Sequence, residues 1–394
     1  MAELGQNERS VRWASTMSGF VPPVDEETPH GGDGARVAHA DTSAHLGTAA
    51  AVSPPAATGH EREWREQIEH ATLAPGAARA HAAGRRRRDE EPDPFRTCFE
   101  RDRDRILHSA AFRRLAGKTQ VFIFPDDHLR TRLTHALEVA QVATSVSRAC
   151  GLNVALTEAI ALGHDCGHGP GGHASEDALA PYLDGGFDHA RWGAEFSLAP
   201  LNLCAETLDG VANHSWSRPA PATCEGEVVS WADRIAYVCH DWEDALRTGI
   251  VGPDLLDPSV AARCGTRRSE QLGCFIDALV ATTLSAGRVS MDEATAEALS
   301  RFRALNYERI YLRDASVAQA EAVVGVLRAL VEHFVDRPNA IPAVRDSGGL
   351  TAGEPGAVRA AVGYVAGMTD RYACRQAVAL LGWDPSKLPK AIDG

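Results

Sequence analysis

The densest run of reactive side chains in this 394-residue chain is Gly163-His164-Asp165-Cys166-Gly167-His168-Gly169-Pro170-Gly171-Gly172-His173-Ala174-Ser175-Glu176. Three histidines, two carboxylates and five glycines share it. A histidine beside an aspartate offers a nitrogen and an oxygen ligand from adjacent positions, a set that suits Mn, Fe, Zn or Ni better than Ca. The glycines let the backbone turn tightly and let a phosphate approach it closely. A His-Asp pair alone is equally compatible with two satisfied core or surface side chains. Three histidines and two acids in one glycine-rich bend weigh towards chemistry.

The segment needs elements to hold it. Ala159-Ile160-Ala161-Leu162 precedes the pair, so His164 and Asp165 stand where a buried helix empties into a loop. Thr157 is the expected N-cap of that helix, over 158–163. A stripe of Ile106, Leu107, Ala110, Ala111 and Leu115 predicts a helix over 104–115. Leu133, Leu137, Ala140, Val142 and Val146 predict a long one over 131–150, stopped by Gly151. Further helices are expected over 227–246, 269–286, 292–305, 317–334 and 355–379, with Pro355 at a first position where its missing N–H costs nothing. Val121-Phe122-Ile123-Phe124 before Pro125 is the one candidate for a short strand or hairpin, near 120–124. No internal repeat interrupts this texture. The expected fold class is all-α.

Composition narrows the function. With 44% hydrophobic and 24% charged residues the chain can bury a sizeable core. A formal net charge of -13 argues against a general nucleic-acid coat, so anionic substrates need a metal or clustered arginines against an acidic background. Nine cysteines, none at CxxC spacing, indicate neither a zinc knuckle nor a thioredoxin-like motif. Neither a secretion signal nor a membrane-length apolar run is evident, and a reducing cytoplasm is the expected compartment. Residues 1–60, rich in Ala, Gly, Pro, Ser and Thr, are expected to be a disordered extension. Residues 61–94 read as a charged linker or peripheral helix, with Arg85-Arg86-Arg87-Arg88-Asp89-Glu90-Glu91 solvated rather than bound to nucleic acid. The main helical domain is expected over 95–380, with a core at about 130–250 and a C-terminal part at about 265–380, before a tail at 381–394.

Ordered along the chain, His135, His164-Asp165 and Asp233 resemble the H…HD…D pattern of HD-domain phosphohydrolases. The resemblance is closer to the deoxyguanosine triphosphate triphosphohydrolase-like (dNTPase) branch. It is carried by Arg101-Asp102-Arg103-Asp104-Arg105-Ile106-Leu107-His108-Ser109, Ala111-Phe112-Arg113-Arg114-Leu115 and Lys118-Thr119-Gln120-Val121. Arg130-Thr131-Arg132-Leu133-Thr134-His135, Leu137-Glu138-Val139-Ala140-Gln141, Ala232-Asp233-Arg234-Ile235-Ala236-Tyr237 and Ala366-Gly367-Met368-Thr369-Asp370-Arg371-Tyr372 extend it. Several long strings agreeing in order make it specific, from about Phe95 to Tyr372.

The resemblance implies one divalent ion (Mn, Mg, Fe, Zn or Ni) held by His135, His164, Asp165 and Asp233, with an additional Mg able to accompany a triphosphate. It assigns Arg132 and His168 to the phosphates, and Arg234 to substrate. His173 and Glu176 are implied as a catalytic pair, and His189, in Phe187-Asp188-His189, joins them facing the same phosphates. Tyr237 is implied to pack on a deoxyribose, Asp241 to bond its 3′ hydroxyl, and Gln120 to contact sugar or base. The implied reaction is hydrolysis of a deoxynucleoside triphosphate to deoxynucleoside and tripolyphosphate. The implied assembly is a homo-oligomer, often a hexamer, with nucleic-acid binding secondary at best. Arg132, Tyr237 and Asp241 argue against a different HD phosphohydrolase acting on a monophosphate, cyclic nucleotide or alarmone. The intact metal and catalytic residues argue against a non-catalytic nucleotide-binding regulator.

Two departures stand out. Gly169-Pro170-Gly171-Gly172 stands where the branch usually has a bulkier segment of Pro-Pro-Phe-Gly or Gly-Pro-Phe-Ser type, and loss of the aromatic at Gly171 is expected to loosen the loop and leaves substrate preference open. Ala190 stands where an Asn is common after the histidine.

Overall fold

The computed structural model describes residues 61–82 and 84–390, and among these it forms sixteen α-helices, short 3₁₀ turns and two π segments, with no β-strand. The all-α expectation holds. The expected extension at 1–60 and the last residues of the tail, 391–394, lie outside the described residues.

The N-terminal part comprises α1 (Arg62–Thr72), α2 (Cys98–His108) and α3 (Ala110–Arg114). The helix expected over 104–115 is broken at Ser109, whose extended backbone and side chain cap the next helix by accepting from Phe112 N–H. Arg85, Arg87, Arg88, Asp89 and Glu91 of the charge block are exposed as expected, while Arg86 and Glu90 are engaged. Arg86 donates to Asp102 at 2.6 Å, and the fully buried Asp102 also accepts from Cys204 N–H at 2.8 Å and the Thr207 hydroxyl at 2.7 Å. Glu90 bridges Arg101 and Arg105. Those two charges find side-chain partners on α2.

Two helices build the floor of the site. In α4 (Arg132–Ala149) the Thr131 side chain accepts from Thr134 N–H while Thr131 N–H donates to Thr134 Oγ1, a reciprocal cap that starts the helix at Arg132. Gly151, at φ +67°, follows its end as expected. The helix α5 (Val154–Gly163) begins earlier than expected, because Asn153 rather than Thr157 caps it, accepting from Leu156 N–H. Thr157 is buried and bonds Ser147 and the Asn153 carbonyl. Around this pair come α6 (Ala174–Leu179), α7 (His189–Trp192), α8 (Ala205–Asn213) and the long α9 (Cys224–Arg247). Both α4 and α9 pack against α5, and their apolar faces merge into one core with Ile106, Leu156, Ile160 and Val238 fully buried. Burial of each such side chain contributes about 1.5–3 kcal/mol.

The remaining helices are α10 (Pro258–Cys264), α11 (Arg268–Ala286), α12 (Glu293–Asn306), α13 (Asp314–Asp336), α14 (Pro342–Asp346), α15 (Pro355–Ala366) and α16 (Asp370–Leu381). The helix expected over 355–379 is two helices, separated at Gly367-Met368-Thr369, although Pro355 does occupy its first position. A second core joins α6 to α13, α15 and α16 through Leu179, Val326, Leu330, Val362 and Ala377. Part of the expected tail is seated on it, with Trp383 and Leu388 packed there.

The strand expected near 120–124 does not form. Thr119 makes a single bridge to Thr131, and Phe124 takes φ 51°, which breaks any extended run. With no partner strand beyond Thr131, the β-branched and aromatic side chains are used as wall instead: Val121, Phe122 and Ile123 line the cavity described next.

Candidate metal centre and its cavity

His164 sits just past the end of α5, and its Nδ1–H donates to Ala161 O at 2.6 Å. That bond leaves Nε2 facing inwards, fully buried and without a hydrogen-bond partner. Around it His135 Nε2 lies 3.0 Å from Asp233 Oδ1, and His164 Nε2 lies 3.5 Å from Asp165 Oδ1 and 3.7 Å from Asp233 Oδ1. Ligand atoms of His135, His164 and Asp233 fall within 4.8 Å of one another. Asp165 completes the ring, 4.0 Å from His135 Nε2. Two imidazoles and two carboxylates so disposed fit a divalent transition ion.

The electrostatics agree with that fit. Burial pushes the Asp165 carboxyl up, but Arg132 and the imidazoles of His164 and His168 outweigh it and hold it well below the usual range. Asp233 is likewise lowered, burial being overcome by the His135 hydrogen bond and its imidazole neighbours. Both carboxyls are thereby kept ionised, and Arg132 Nη1 reaches Asp165 Oδ2 at 2.7 Å.

The second shell of reactive groups is continuous with the first. His168 Nε2 lies 3.2 Å from Asp165 Oδ1 and stacks on His189, with ring centroids 3.7 Å apart. Burial and the neighbouring Arg132 lower His168 well below the ordinary imidazole range, so it is neutral. Glu176 bridges two imidazoles, His173 Nδ1 at 3.0 Å and His189 Nδ1 at 2.8 Å, and those bonds overcome its burial to keep it ionised. His173 itself is 73% exposed, at the rim.

These groups open onto one cavity of ≈ 570 Å³. Gln120, Arg234, Tyr237 and Asp241 line it, the last two on the same α9 face as Asp233. Eleven buried side-chain polar atoms lack a hydrogen-bond partner among the described residues, and they include Gln120 Oε1, Arg132 Nε, His164 Nε2, His168 Nδ1, Arg234 Nε and Asp241 Oδ1. Folded proteins leave few such atoms unpaired. Five of them, on Gln120, Arg132, His168, Arg234 and Asp241, belong to residues lining this cavity, which marks it as a candidate ligand site.

A family model of the HD domain matches residues 132–238, and one of the phosphohydrolase-associated domain matches 289–378. The deoxyguanosinetriphosphate triphosphohydrolase-like protein of Caldanaerobacter subterraneus is 41% identical over 321 residues, covering 79% of this chain and 93% of that protein. The protein of the same description from Clostridium perfringens strain 13 is 39% identical over 327 residues, covering 79% and 94%. The chain belongs to this triphosphohydrolase-like family.

Both matched regions reach the cavity, and this is how residues missed in the sequence come to line it. His214 is buried, donates from Nδ1 to Val211 O at 2.8 Å, and turns Nε2 to within 3.2 Å of His189 Nε2. Burial and the nearby His164 and His189 lower it to about 4. A solitary histidine before Ser215 carried no spacing signal. Arg234 stacks over Trp216 at 3.5 Å from its centroid. From the associated region, Arg303 Nε donates to the Tyr237 hydroxyl at 2.9 Å and Tyr311 OH donates to Asp241 Oδ2 at 2.5 Å. Tyr307 and Tyr311 bound a π segment, Tyr307–Tyr311, whose wider turn brings both rings to the cavity wall. Their i, i+4 spacing was the available clue.

The glycine loop is not loosened. Gly171 N–H donates to Asp370 Oδ1 at 2.9 Å and Gly169 N–H donates to Ser175 Oγ at 3.0 Å. Val323 of α13 occupies the space beside Gly171, where a Cβ would lie 2.5 Å from Val323 Cγ1. The aromatic missing from the loop is thus compensated by a neighbouring helix.

Proposed function

We propose that this protein hydrolyses deoxynucleoside triphosphates, dGTP or several of them, to the deoxynucleoside and tripolyphosphate. The observation that carries the reading is the set of unpaired buried polar atoms on Gln120, Arg132, His168, Arg234 and Asp241, residues that all line one cavity. His135, His164, Asp165 and Asp233 would hold a divalent ion, which supplies Lewis acidity towards a phosphoryl oxygen and water. Arg132 spans from Asp165 to the glycine loop, and this supports a role for its guanidinium in binding phosphate oxygens. His168, neutral and buried, offers a nitrogen without charge repulsion from Arg132, and Arg234 adds a cation to the cavity lining. A second ion, Mg, would travel with the triphosphate.

In the reaction a water oxygen attacks the α-phosphorus and the bond to the nucleoside 5′ oxygen breaks. Glu176 ties His173 and His189 together, so either imidazole can accept the water proton or return one to the leaving oxygen. Tyr237 packs on the sugar face, where a 2′ hydroxyl would be crowded. Asp241 Oδ1 accepts from the 3′ hydroxyl, and Gln120 contacts sugar or base. The same reading makes 95–380 the catalytic domain, in a cytoplasmic homo-oligomer that the family resemblance suggests is a hexamer. No helix among the described residues is long and apolar enough to cross a membrane.

Chromatography of dNTPs incubated with the purified protein and Mn²⁺ tests the reading. Deoxynucleoside and tripolyphosphate are expected. Release of dGMP and pyrophosphate, or no turnover of any dNTP, would refute it.

A further inference from the structure

The string Ala366-Gly367-Met368-Thr369-Asp370-Arg371-Tyr372 has no part in the roles proposed above, yet it lies directly behind the cavity. Asp370, the first residue of α16, is buried. Its Oδ2 accepts from Thr119 N–H at 2.8 Å and from the Thr119 hydroxyl at 2.5 Å, and its Oδ1 accepts from Gly171 N–H at 2.9 Å. Four residues earlier, Ala366 O accepts from the buried Lys118 ammonium at 2.9 Å. The same ammonium donates to His168 O. Thr369 presses on Gly117, where a Cβ would lie 2.8 Å from Thr369 Cγ2.

One turn of the associated region therefore grips two separate pieces of the site. The first is 117–119, which leads into Gln120. The second is the loop from His168 to Gly171, which leads through Gly172 into His173. Gly172 is where these pieces meet Arg132: a Cβ there would lie 2.6 Å from Arg132 Nη2 and 3.1 Å from Thr119 O. An acid at a helix start is commonplace, because the helix dipole favours it. The dipole does not explain why every donor to this carboxylate comes from two distant segments that line the same cavity.

We propose that Asp370 is a positioning residue which, with Lys118, holds the Gln120 segment and the His168–His173 loop in register around the phosphate end of the cavity. The phosphohydrolase-associated region is then a working wall of the site. The inference rests on the reading of that cavity as a triphosphate site. A carboxylate is acceptor-only and meets three donors here; an amide in its place turns an N–H towards one of them.

The test compares Asp370→Asn, Thr119→Val and Thr119→Ser with the wild type, in full-length protein. Hydrogen exchange is followed over 117–123 and 168–173, alongside kcat and KM for dNTPs, bound metal and Tm. In Asp370→Asn, faster exchange is expected in both segments together, with α4 and α9 unchanged. Asp370→Asn and Thr119→Val are expected to raise KM about tenfold with kcat within about twofold and bound metal unchanged. Thr119→Ser, which keeps the hydroxyl, should restore wild-type values. If Asp370→Asn does not fold, Thr119→Val against Thr119→Ser decides. Unchanged exchange and KM, or losses that only follow melting or metal release, would overturn the proposal. If the wild type hydrolyses no dNTP, the functional reading fails separately. The exchange data, with the affinity for inorganic tripolyphosphate in place of KM, still judge the clasp.

Discussion

Asp241 is a buried carboxyl with only one of its oxygens paired among the described residues. Its Oδ2 accepts from Tyr311, but Oδ1 is buried without a partner, and burial pushes the carboxyl from 3.8 up to about 7. A folded pKa above the unfolded one means that protonated Asp241 favours the fold. That contribution is complete below 3.8 and is lost as pH rises towards 7. Asn mimics the protonated form at every pH. We predict that Asp241→Asn melts higher than the wild type without ligand, by a margin that widens between pH 4 and 7 and then levels, while KM for a dNTP rises. A margin independent of pH in thermal melts would contradict this. At the metal centre, Asp233→Asn is expected to lose bound divalent ion on dialysis, whereas Tyr237→Phe retains it. Equal metal content in both would remove Asp233 from the ligand set.

At the level of elements, the glycine loop carries the clearest constraint. Gly172 has φ +63°, where a side chain costs about 1–2 kcal/mol, and its missing Cβ is the space that Arg132 Nη2 fills. Gly172→Ala is therefore expected to displace Arg132 from beneath the loop, raising KM for a triphosphate by more than about tenfold while metal stays bound. Wild-type kinetics in that variant would mean Arg132 does not bind phosphate. The two π segments, Gly193–Ser197 and Tyr307–Tyr311, follow α7 and α12, which carry His189 and Arg303. Such widened turns recur at functional sites because they re-aim side chains without ending a helix.

Across the whole molecule, two cores share the work of fixing one cavity. The first holds α4, α5 and α9, and so His135, His164 and Asp233. The second brings α13, α15 and α16 against α6, behind His173 and Glu176. Long-range polar ties complete the first core: Glu225 accepts from Ala78 N–H at 3.0 Å and Asn153 N–H at 2.8 Å, and Arg86 pairs with Asp102. Replacing one partner of a buried pair strands the other, at about 3–5 kcal/mol. Arg86→Met should cost roughly that in urea denaturation, with kcat per folded molecule unchanged. A loss below about 1 kcal/mol would mean the pair is exposed in solution.

Much of this protein was legible in order along the chain. Helical periodicity gives the all-α class, and His135, His164, Asp165 and Asp233 are recognisable because ligand type and sequence order survive without coordinates. Cap chemistry was less legible: Thr131, read as the first residue of the α4 helix, is its cap, and Thr157 lost to Asn153, its hydroxyl being bonded to Ser147 and the Asn153 carbonyl. The strand at 120–124 and the loosened loop were misjudged for a common reason. Each depended on a partner far away in sequence: the missing second strand, and Val323 with Asp370. His214, Arg303 and Tyr311 were hidden likewise, since one side chain carries no period. Sequence alone determined the type of chemistry, because ligands must be particular residues. Tertiary packing decided the cavity, because its walls are set by which distant surfaces meet.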